Sequence, residues 1–480
     1  MPPFLMLAVV GGYFALLLVV AWRTSRGADS DSFFIGNRSS RWAVVAFGMV
    51  GTSLSGVTFV SVPGAVGHDA FSYFQLVLGL FAGYLVIAYV LLPVYYRNHV
   101  TSIYDFLEAR LGPASHRTGA GFFILSRTLG ATARLYLVVN ILQVAILDAL
   151  GVPFWLTSAI FVAMIVAYTL QGGVKTIVWT DMLQTTCMLL GLVVLSAAML
   201  SSLDLSFGES VARMQERGLA KVFHWEPDAA SFFPKQFVAG MFIAIAMTGL
   251  DQEMMQKNIS VKTLADSQKN VVVMATIMMG VVLLFLYLGG LLYLYAPAAG
   301  VTAAGDRILP AVVLEHMPAI VQLVFLIALI SALFPSADGA ITALTSIFCI
   351  DILHMKRRAD LDEAARTRIR KRVHIAFAVI FMALLLVFKR ADNPSMIGLI
   401  LMLAAYTYGP LLGIFAFAIL TRRSVRDGWV PVVALAAPAI CLWIDANQKA
   451  LFGGYRIGLE MLVVNGALTF AGLWLASRKP

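Results

Sequence analysis

Two arginines stand inside one long apolar segment, in the stretch Ser-Arg-Thr-Leu-Gly-Ala-Thr-Ala-Arg-Leu-Tyr-Leu that covers residues 126–137. Arg134 lies at mid-segment, and Arg127 precedes it by about 10 Å along the same helical face. A charge at membrane depth is costly, so both are candidates for function. Because a planar guanidinium can hold a carboxylate through two parallel hydrogen bonds, Arg134 predicts a bound solute carboxylate. An internal pair with Asp181 or Asp338 is the alternative, and Arg127 is expected to be structural.

Carboxylates and hydroxyls form a second candidate set, which suits a hard cation. Asp181 occurs in Trp-Thr-Asp-Met-Leu-Gln at the start of an apolar segment, and Asp338 occurs in Leu-Phe-Pro-Ser-Ala-Asp-Gly. Hydroxyl, carboxylate and unwound backbone carbonyl oxygens are the ligands that sodium needs. Helical spacing places four residues near one face beside Asp338, namely Ala332, Pro335, Ser336 and Gly339. These patterns favour sodium binding, although serine and threonine also bond to their own helix backbone.

Enzyme chemistry finds little support in the sequence. A membrane enzyme needs a nucleophile, a metal cluster or an acid and base at suitable spacing. The seven histidines fall mostly at loops and segment ends, and none forms a ligand pair on a helix. Cys187, Cys349 and Cys441 lie far apart, so neither a disulfide framework nor a zinc site is indicated. We therefore expect no catalytic residues and no enzyme activity.

The elements that position these residues are membrane spans. Of 480 residues, 60% are hydrophobic and 13% are charged, against roughly 25% charged in soluble domains. Apolar runs of about 20 residues, enough to cross a bilayer, recur along the chain. We predict an all-α polytopic membrane protein of one domain with about thirteen spans. They cover residues 4–22, 42–67, 72–96, 118–147, 153–170, 180–200, 234–256, 270–295, 319–346, 373–388, 395–420, 428–444 and 458–476.

Basic residues set the predicted orientation. Most of the 35 Lys and Arg residues fall in the even-numbered connections and after the last span, for example at 356–358 and 368–372. Cytoplasmic loops carry an excess of Lys and Arg, so the N-terminus is predicted outside and the C-terminus cytoplasmic. The first span lacks a basic n-region and a cleavage site, and we expect it to remain as a helix. The net charge of +9 is explained by these loops, so no nucleic-acid partner is expected.

Two spans are poor continuous helices. Residues 51–67 combine glycines, hydroxyls and a proline, and residues 240–250 are interrupted by glycine five spans later. Broken helices at corresponding positions of two halves indicate an inverted repeat with its site at mid-membrane. Close packing of small residues at helix crossings is the alternative. The aromatic connection 203–233 is either a lid on the outer face or a passive interfacial loop.

These segments resemble the solute:sodium symporter family. The similarity is carried by Phe-Phe-Ile-Gly-Asn-Arg-Ser at 33–39, Gly-Thr-Ser-Leu-Ser-Gly at 51–56, Trp-Thr-Asp-Met-Leu-Gln at 179–184 and Pro-Ser-Ala-Asp-Gly at 335–339. The resemblance implies a 5+5 inverted-repeat core over 42–420, with discontinuous first and sixth core helices. An extra N-terminal helix at 4–22 and two C-terminal helices within 428–476 would flank that core.

The resemblance also implies where sodium binds. The backbone carbonyls of Gly51, Leu54 and Ala332 and the Ser336 hydroxyl match the main sodium site of the family. A neighbouring family hydroxyl falls on Pro335, so water, a carbonyl or Asp338 must complete that site. The resemblance also implies a second sodium site at Asp181 and Asp338. Asp181 keeps the aspartate that the family uses there, whereas Asp338 stands where the family has a serine.

Within the family, the substrate region is similar to that of bacterial sialic acid transporters. The matching positions are Ser55, Thr58, Phe71, Gln75, Arg134 and Phe242, with Arg134 taking the carboxylate. The implied function is sodium-coupled import of a small carboxylate, such as sialic acid or a similar sugar acid, across the bacterial inner membrane. Sodium would bind first, and an inner gate would open near Ser336 and residues 251–255. An amino acid, pantothenate, a short monocarboxylate or a neutral sugar is the alternative solute, and a sodium-responsive sensor or channel is the alternative class.

Overall fold

The computed structural model describes residues 2–24, 40–98, 100, 102–358, 360–391, 396–453, 455 and 457–478. The motif at 33–39 and His99 lie outside the described residues. The chain is built from α-helices, as predicted. The first group is α1 (Pro3–Thr24), α2 (Trp42–Asp69), α3 (Tyr73–Val86), α4 (Asp105–Arg110), α5 (Pro113–Leu142), α6 (Phe154–Ser202), α7 (Phe207–Glu216) and α8 (Phe233–Ala244).

The second group is α9 (Gln252–Ile259), α10 (Leu264–Tyr295), α11 (Ile308–His316), α12 (Ala319–Ile347), α13 (Glu363–Ala391), α14 (Met396–Leu420), α15 (Trp429–Ala446), α16 (Gln448–Phe452) and α17 (Met461–Leu475). Single π-helical turns extend α3, α5, α8 and α12 at Ile87–Leu91, Gln143–Leu147, Ile245–Gly249 and Phe348–Ile352. Two short strands, β1 (Ser424–Val425) and β2 (Ser477–Arg478), pair antiparallel.

Ten helical segments in the described part of the chain are long and apolar enough to cross a membrane. The bent pair Phe233–Gly249 and Gln252–Ile259 makes an eleventh crossing if it acts as one span. Two shorter apolar segments, Phe154–Leu170 and Met461–Leu475, lie where the sequence predicts further spans. The multi-pass membrane architecture is therefore confirmed, while the number thirteen stays a prediction.

The connection between the predicted spans 153–170 and 180–200 is helical. The structure assigns one helix, α6, across all 49 residues from Phe154 to Ser202. At 1.5 Å per residue a straight helix of that length would reach about 73 Å, more than twice the roughly 30 Å of the hydrocarbon core. The predicted spans 153–170 and 180–200 both lie within the bounds of this helix. Two crossings by α6 would require a bend there.

Both segments predicted to be broken are broken. Ser55 has φ 34° and ψ 167° within α2, so helical geometry stops there and resumes, and α2 runs on past Pro63 to Asp69. The second break follows Gly249, where α8 and its π-helical turn meet α9 at an angle of 67°. Asp251 caps α9 by accepting the backbone N–H groups of Glu253 and Met254. These two breaks give the structure two places where backbone polar groups leave the helical ladder.

The broken helices are held by close packing against unbroken ones. Helix α2 packs against α6, α10 and α12, and α8 packs against α3. A Cβ atom added at Gly51 would collide with the Thr185 hydroxyl, and one at Gly56 would collide with Val138. The same added Cβ at Gly56 would lie 3.6 Å from the Ala332 carbonyl oxygen. Glycine at these two positions therefore lets α2 approach α6 at Gly51 and α5 at Gly56.

Candidate functional site

A cavity of about 120 Å³ lies between the two breaks. Helix α2 contributes Ser55 and Thr58, the turn after α8 contributes Thr248, and α5 contributes Arg134. One water needs only about 10–15 Å³ of such space, so the cavity has room for an organic solute. Much of the remaining wall is aliphatic, with residues such as Val57, Val77, Leu80, Ile243, Met247, Val282 and Ile400. A few polar groups in a mostly apolar wall are typical of a small-molecule site.

Arg127 and Arg134 both line this cavity, and of the two it is Arg134 that has no ion-pair partner among the described residues. Its side chain is partly exposed and, across the described ranges, it forms no hydrogen bond or ion pair with another residue. The alternative partners named above are engaged elsewhere, Asp181 with Lys257 and Asp338 with the Tyr168 hydroxyl. A guanidinium at membrane depth without a carboxylate partner is suited to receive an anionic group.

Arg127, two turns earlier on α5, is paired internally. Its guanidinium donates to the Glu253 carboxylate and lies 3.7 Å from Asp251 Oδ2. The Tyr408 hydroxyl also donates to Asp251, at 2.5 Å. Arg127 is 4% exposed and its carboxylate partners are 2% exposed or less. These contacts tie α5 and α14 to the start of α9 and are consistent with the structural role expected for Arg127.

The second break has its freed carbonyl groups satisfied by tyrosines. Tyr95 donates to the Gly249 carbonyl at 2.8 Å, and Tyr104 donates to the Leu250 carbonyl at 3.0 Å. Unpaired backbone groups at membrane depth are tolerated only where protein or water satisfies them. The bend between α8 and α9 is therefore stabilised by Tyr95 from the helix Leu92–Arg97, which continues α3, and by Tyr104 from the segment that precedes α4.

The residues predicted to hold the main sodium ion lie on α2 and α12. Gly51 and Leu54 precede the break in α2, and Ala332 is close to that break across the helix crossing. Ser336 lies one turn beyond Ala332 on α12, is 1% exposed, and donates its hydroxyl to the Leu333 carbonyl at 2.9 Å. The oxygen of that hydroxyl keeps lone pairs that can face a cation.

The two carboxylates predicted for a second sodium ion lie on α6 and α12. Asp181 Oδ2 accepts from Lys257 Nζ at 2.7 Å and from the Thr52 hydroxyl at 3.1 Å. Asp338 accepts from Tyr168 at 2.6 Å and from its neighbour's amide, Gly339 N–H, at 2.5 Å. The Lys257 ammonium therefore occupies the position next to Asp181 Oδ2 where a second sodium ion was predicted.

The six predicted solute contacts divide into two sets. Ser55, Thr58 and Arg134 line the cavity. The other three, Phe71, Gln75 and Phe242, lie outside its lining in this structure. Gln75 is buried and bonded to the connection between α7 and α8: it donates to the Ser231 carbonyl at 2.8 Å and accepts from His224 N–H at 3.1 Å. That connection lies against the junction of α2 and α3, where Phe71 N–H donates to the Lys221 carbonyl.

Sequence reasoning missed Lys257 and Tyr408 at this site, and it named Glu253 only as part of the predicted inner gate at 251–255. Lys257, Glu253 and Tyr408 are buried at the crossing of α9 with its neighbours, and each bonds to another charged group. The only local signal was the spacing of Glu253 and Lys257, four residues apart on one helical face. Their other partners are distant in sequence and could not be read from it.

Two broken helices that face one polar cavity, inside a bundle of apolar helices, define a multi-pass membrane protein of the secondary-transporter class. The chain belongs to the sodium:solute symporter family, whose family model matches residues 33–432. Sodium is therefore the ion to which this protein couples solute movement.

Individual relatives were found along nearly the whole chain. The sodium/sialic acid symporter SiaT of Proteus mirabilis is 22% identical over 495 residues, which cover 97% of this chain and 95% of SiaT. The sodium/sialic acid symporter NanT of Aliivibrio fischeri is 22% identical over 482 residues, covering 96% of this chain and 90% of NanT. The solved structure of a substrate-bound, outward-open Na+-coupled sialic acid symporter has a TM-score of 0.83 at 19% identity, with 99% of each chain covered. That similarity confirms the fold.

Proposed function

We propose that this symporter imports a small carboxylate, such as sialic acid or a similar sugar acid, together with sodium. The observation that carries the proposal is Arg134, a guanidinium without a carboxylate partner among the described residues, at a cavity between two broken helices. A solute carboxylate would supply the missing counter-charge through a bidentate pair. The names of the relatives SiaT and NanT support a sialic acid as the first solute to test.

In this proposal Ser55 and Thr58 bind solute hydroxyls beside the carboxylate. Phe71, Gln75 and Phe242 come into contact with the solute when the cavity extends toward the connection between α7 and α8. Gln75 would then exchange its bonds to the Ser231 carbonyl and His224 N–H for bonds to the solute. A polar side chain already paired with backbone can make that exchange without being left unpaired.

The main sodium ion would bind between α2 and α12, held by the carbonyls of Gly51, Leu54 and Ala332 and by the Ser336 hydroxyl. Carbonyl and hydroxyl oxygens of this kind suit a hard cation. Sodium binding there would fix the break in α2 against α12 and so shape the wall that carries Ser55 and Thr58. We therefore propose that sodium binds before the solute, and that inward release follows opening near Ser336 and residues 251–255.

We further propose thirteen crossings in one domain, with a 5+5 inverted-repeat core over 42–420. The two short apolar segments Phe154–Leu170 and Met461–Leu475 then complete the ten candidate spans and the bent pair. The breaks in α2 and after α8 would be the first and sixth core helices of the two halves. The N-terminus would lie outside and the C-terminus in the cytoplasm, with the protein in a bacterial inner membrane.

The proposal is tested by ligand-induced thermal stabilisation of the purified protein. Sialic acid, proline, pantothenate and glucose are titrated with and without sodium. A solute at a hundredfold excess over its dissociation constant adds about 2.7 kcal/mol to the free energy of unfolding, so a true ligand is visible. We expect sodium-dependent stabilisation by sialic acid in wild type and its loss in Arg134→Ala.

Arg134→Lys is the matched variant, because it keeps the charge and removes the bidentate fork. We expect it to bind the solute more weakly than wild type and more tightly than Arg134→Ala. Stabilisation by glucose that persists in Arg134→Ala would overturn the carboxylate site while leaving a sodium symporter. Counterflow in proteoliposomes separates a carrier from a channel or sensor, since only a carrier exchanges internal for external solute.

A smaller and less polar monocarboxylate is the second candidate solute. The aliphatic wall formed by residues such as Leu80, Ile243 and Val282 offers few partners for the several hydroxyls of a sugar acid. Short-chain carboxylates added to the same titration decide between the two. Stabilisation by these acids and not by sialic acid would assign the site to them, with Arg134 in the same role.

A further inference from the structure

Lys257 lies where a cation would bind between the broken helix α2 and helix α6. Its Nζ atom is 2.7 Å from Asp181 Oδ2, 2.8 Å from Thr52 Oγ1 and 3.8 Å from Glu253 Oε1. Lys257 is 3% exposed and Thr52 is 4% exposed. One carboxylate and one hydroxyl, with a second carboxylate nearby, are the oxygen groups that a bound sodium ion would use.

We infer that Lys257 is a built-in cation that takes the place of a second sodium ion, so that each transport cycle carries one sodium. The inference rests on the proposed function, because it assumes sodium-coupled transport through the main site. The ammonium carries the same single charge as sodium, and its N–H groups donate to the Asp181 and Thr52 oxygens that sodium would draw to itself. Both cations cannot share the Asp181 carboxylate without strong repulsion in a buried site.

The position of Lys257 is fixed by its helix. Helix α9 begins at the second break, where Asp251 caps its first turn, and places Glu253 and Lys257 one turn apart on the face toward α2 and α6. Glu253 is held in turn by Arg127. The Lys257 ammonium is therefore positioned by α9, the helix that follows the second break. Its bond to Thr52 connects α9 to α2, the helix that contains the first break.

The buried charges at the crossing of α6, α9 and α12 leave one carboxylate without an ion-pair partner among the described residues. Arg127 neutralises Glu253, and Asp251 accepts the N-terminal amides of α9, where the helix dipole favours negative charge. Lys257 neutralises Asp181. Asp338 has no ion-pair partner among the residues that the structure describes, and it lies on α12 two residues after Ser336. A single sodium ion at the main site would balance Asp338.

The inference is tested by equilibrium binding of radioactive sodium to the purified, solute-free protein. We expect wild type to bind about one sodium ion per chain. Lys257→Met keeps the apolar stem and removes the charge, which leaves Asp181 and Thr52 for an ion, so this variant should bind about two. The double variant Lys257→Met, Asp181→Asn removes both charges and should return to about one. Size-exclusion profiles and melting curves check that each variant is folded.

Wild type that binds two sodium ions overturns the inference without any variant, even if Lys257→Met fails to fold. A folded Lys257→Met protein that still binds one ion overturns it as well, because the vacated oxygens then do not form a sodium site. Both results leave the sodium symporter in place. Wild type that binds no sodium contradicts the proposed function and the inference together, so the two failures are distinguishable.

Discussion

Arg127 and Arg134 lie on the same face of α5, yet their guanidinium groups meet different surroundings. Both arginines line the cavity, but Arg127 is paired with Glu253 and Asp251, whereas Arg134 has no such partner among the described residues. A buried ion pair satisfies its charge internally, while a lone guanidinium requires an anion from elsewhere. This difference separates a residue that holds the helices together from one that is available to a solute.

Removal of one member of the Arg127–Glu253 pair should destabilise the protein even when no solute is present. Arg127→Met leaves the Glu253 carboxylate buried beside Asp251 with less compensation. Breaking a buried pair in this way costs about 3–5 kcal/mol. We expect a clearly lower apparent melting temperature in fluorescence-detected size-exclusion chromatography, measured with no solute present.

The double variant Arg127→Met, Glu253→Gln is the control, since it removes both charges and should recover part of the lost stability. If the single variant melts together with wild type, the pair contributes little and the assignment of Arg127 as a structural residue is wrong.

The charged residues could be found in the sequence, but their pairings could not. Arg134 was expected to bind a solute or else pair with Asp181 or Asp338, and in the structure those carboxylates bond to Lys257 and Tyr168. Which side chains meet depends on the rotation of each helix at a crossing. That rotation cannot be predicted from the residues adjacent in sequence.

At the scale of helices, the composition predicted which segments are broken, but it did not predict the residue at which each break occurs. Residues 51–67 contain glycines, hydroxyls and Pro63, any of which could interrupt a helix, and the interruption falls at Ser55. The break after Gly249 depends on the hydroxyls of Tyr95 and Tyr104, which lie more than a hundred residues earlier.

The connection between α7 and α8 is fastened to the start of α3 by Gln75. We expect Gln75→Leu to release it, because the variant loses the bonds to the Ser231 carbonyl and to His224 N–H while keeping an apolar side chain of similar size. Limited trypsin digestion measures the effect: cleavage after Lys221 should become faster. Accelerated cleavage would favour a lid over a passive loop, since it shows that a residue predicted to contact the solute holds the connection in place.

Gln268→Leu is the matched control for this experiment, because it loses a similar bond, to the Ala88 carbonyl, at a different place. Cleavage after Lys221 should be unchanged in that variant. Equal cleavage rates in wild type and Gln75→Leu would mean that the connection is held by its own packing, as a passive loop would be.

At the scale of the whole molecule, the short pairing of β1 with β2 constrains how the chain crosses the membrane. Ser424 pairs with Arg478 and Val425 pairs with Ser477, so the two ends of the segment between them lie on the same side. That segment contains α15, which is long and apolar enough to span, and α17, which is shorter. If α15 crosses, the chain must return, and α17 is the apolar helix available for it. The pairing therefore favours a crossing by α17.

This reasoning leads to a prediction for the two ends of the chain. With thirteen crossings, a cysteine at position 2 and one at position 424 should face opposite sides, the first outside and the second in the cytoplasm. In a background where Cys187, Cys349 and Cys441 are replaced by alanine, Pro2→Cys should react with a membrane-impermeant maleimide in intact cells. Ser424→Cys should react only after permeabilisation, and Ser477→Cys should behave in the same way because β1 and β2 pair.

Reaction of both Pro2→Cys and Ser424→Cys in intact cells would require an even number of crossings before β1, and the predicted arrangement of 4–22 and the core would be wrong. A difference between Ser424→Cys and Ser477→Cys would instead place the error in α15 and α17. The excess of basic residues at 422–426 and in the other predicted cytoplasmic connections favours the cytoplasmic position for β1. The three variants thus test separately the orientation of the chain and the crossing by α17.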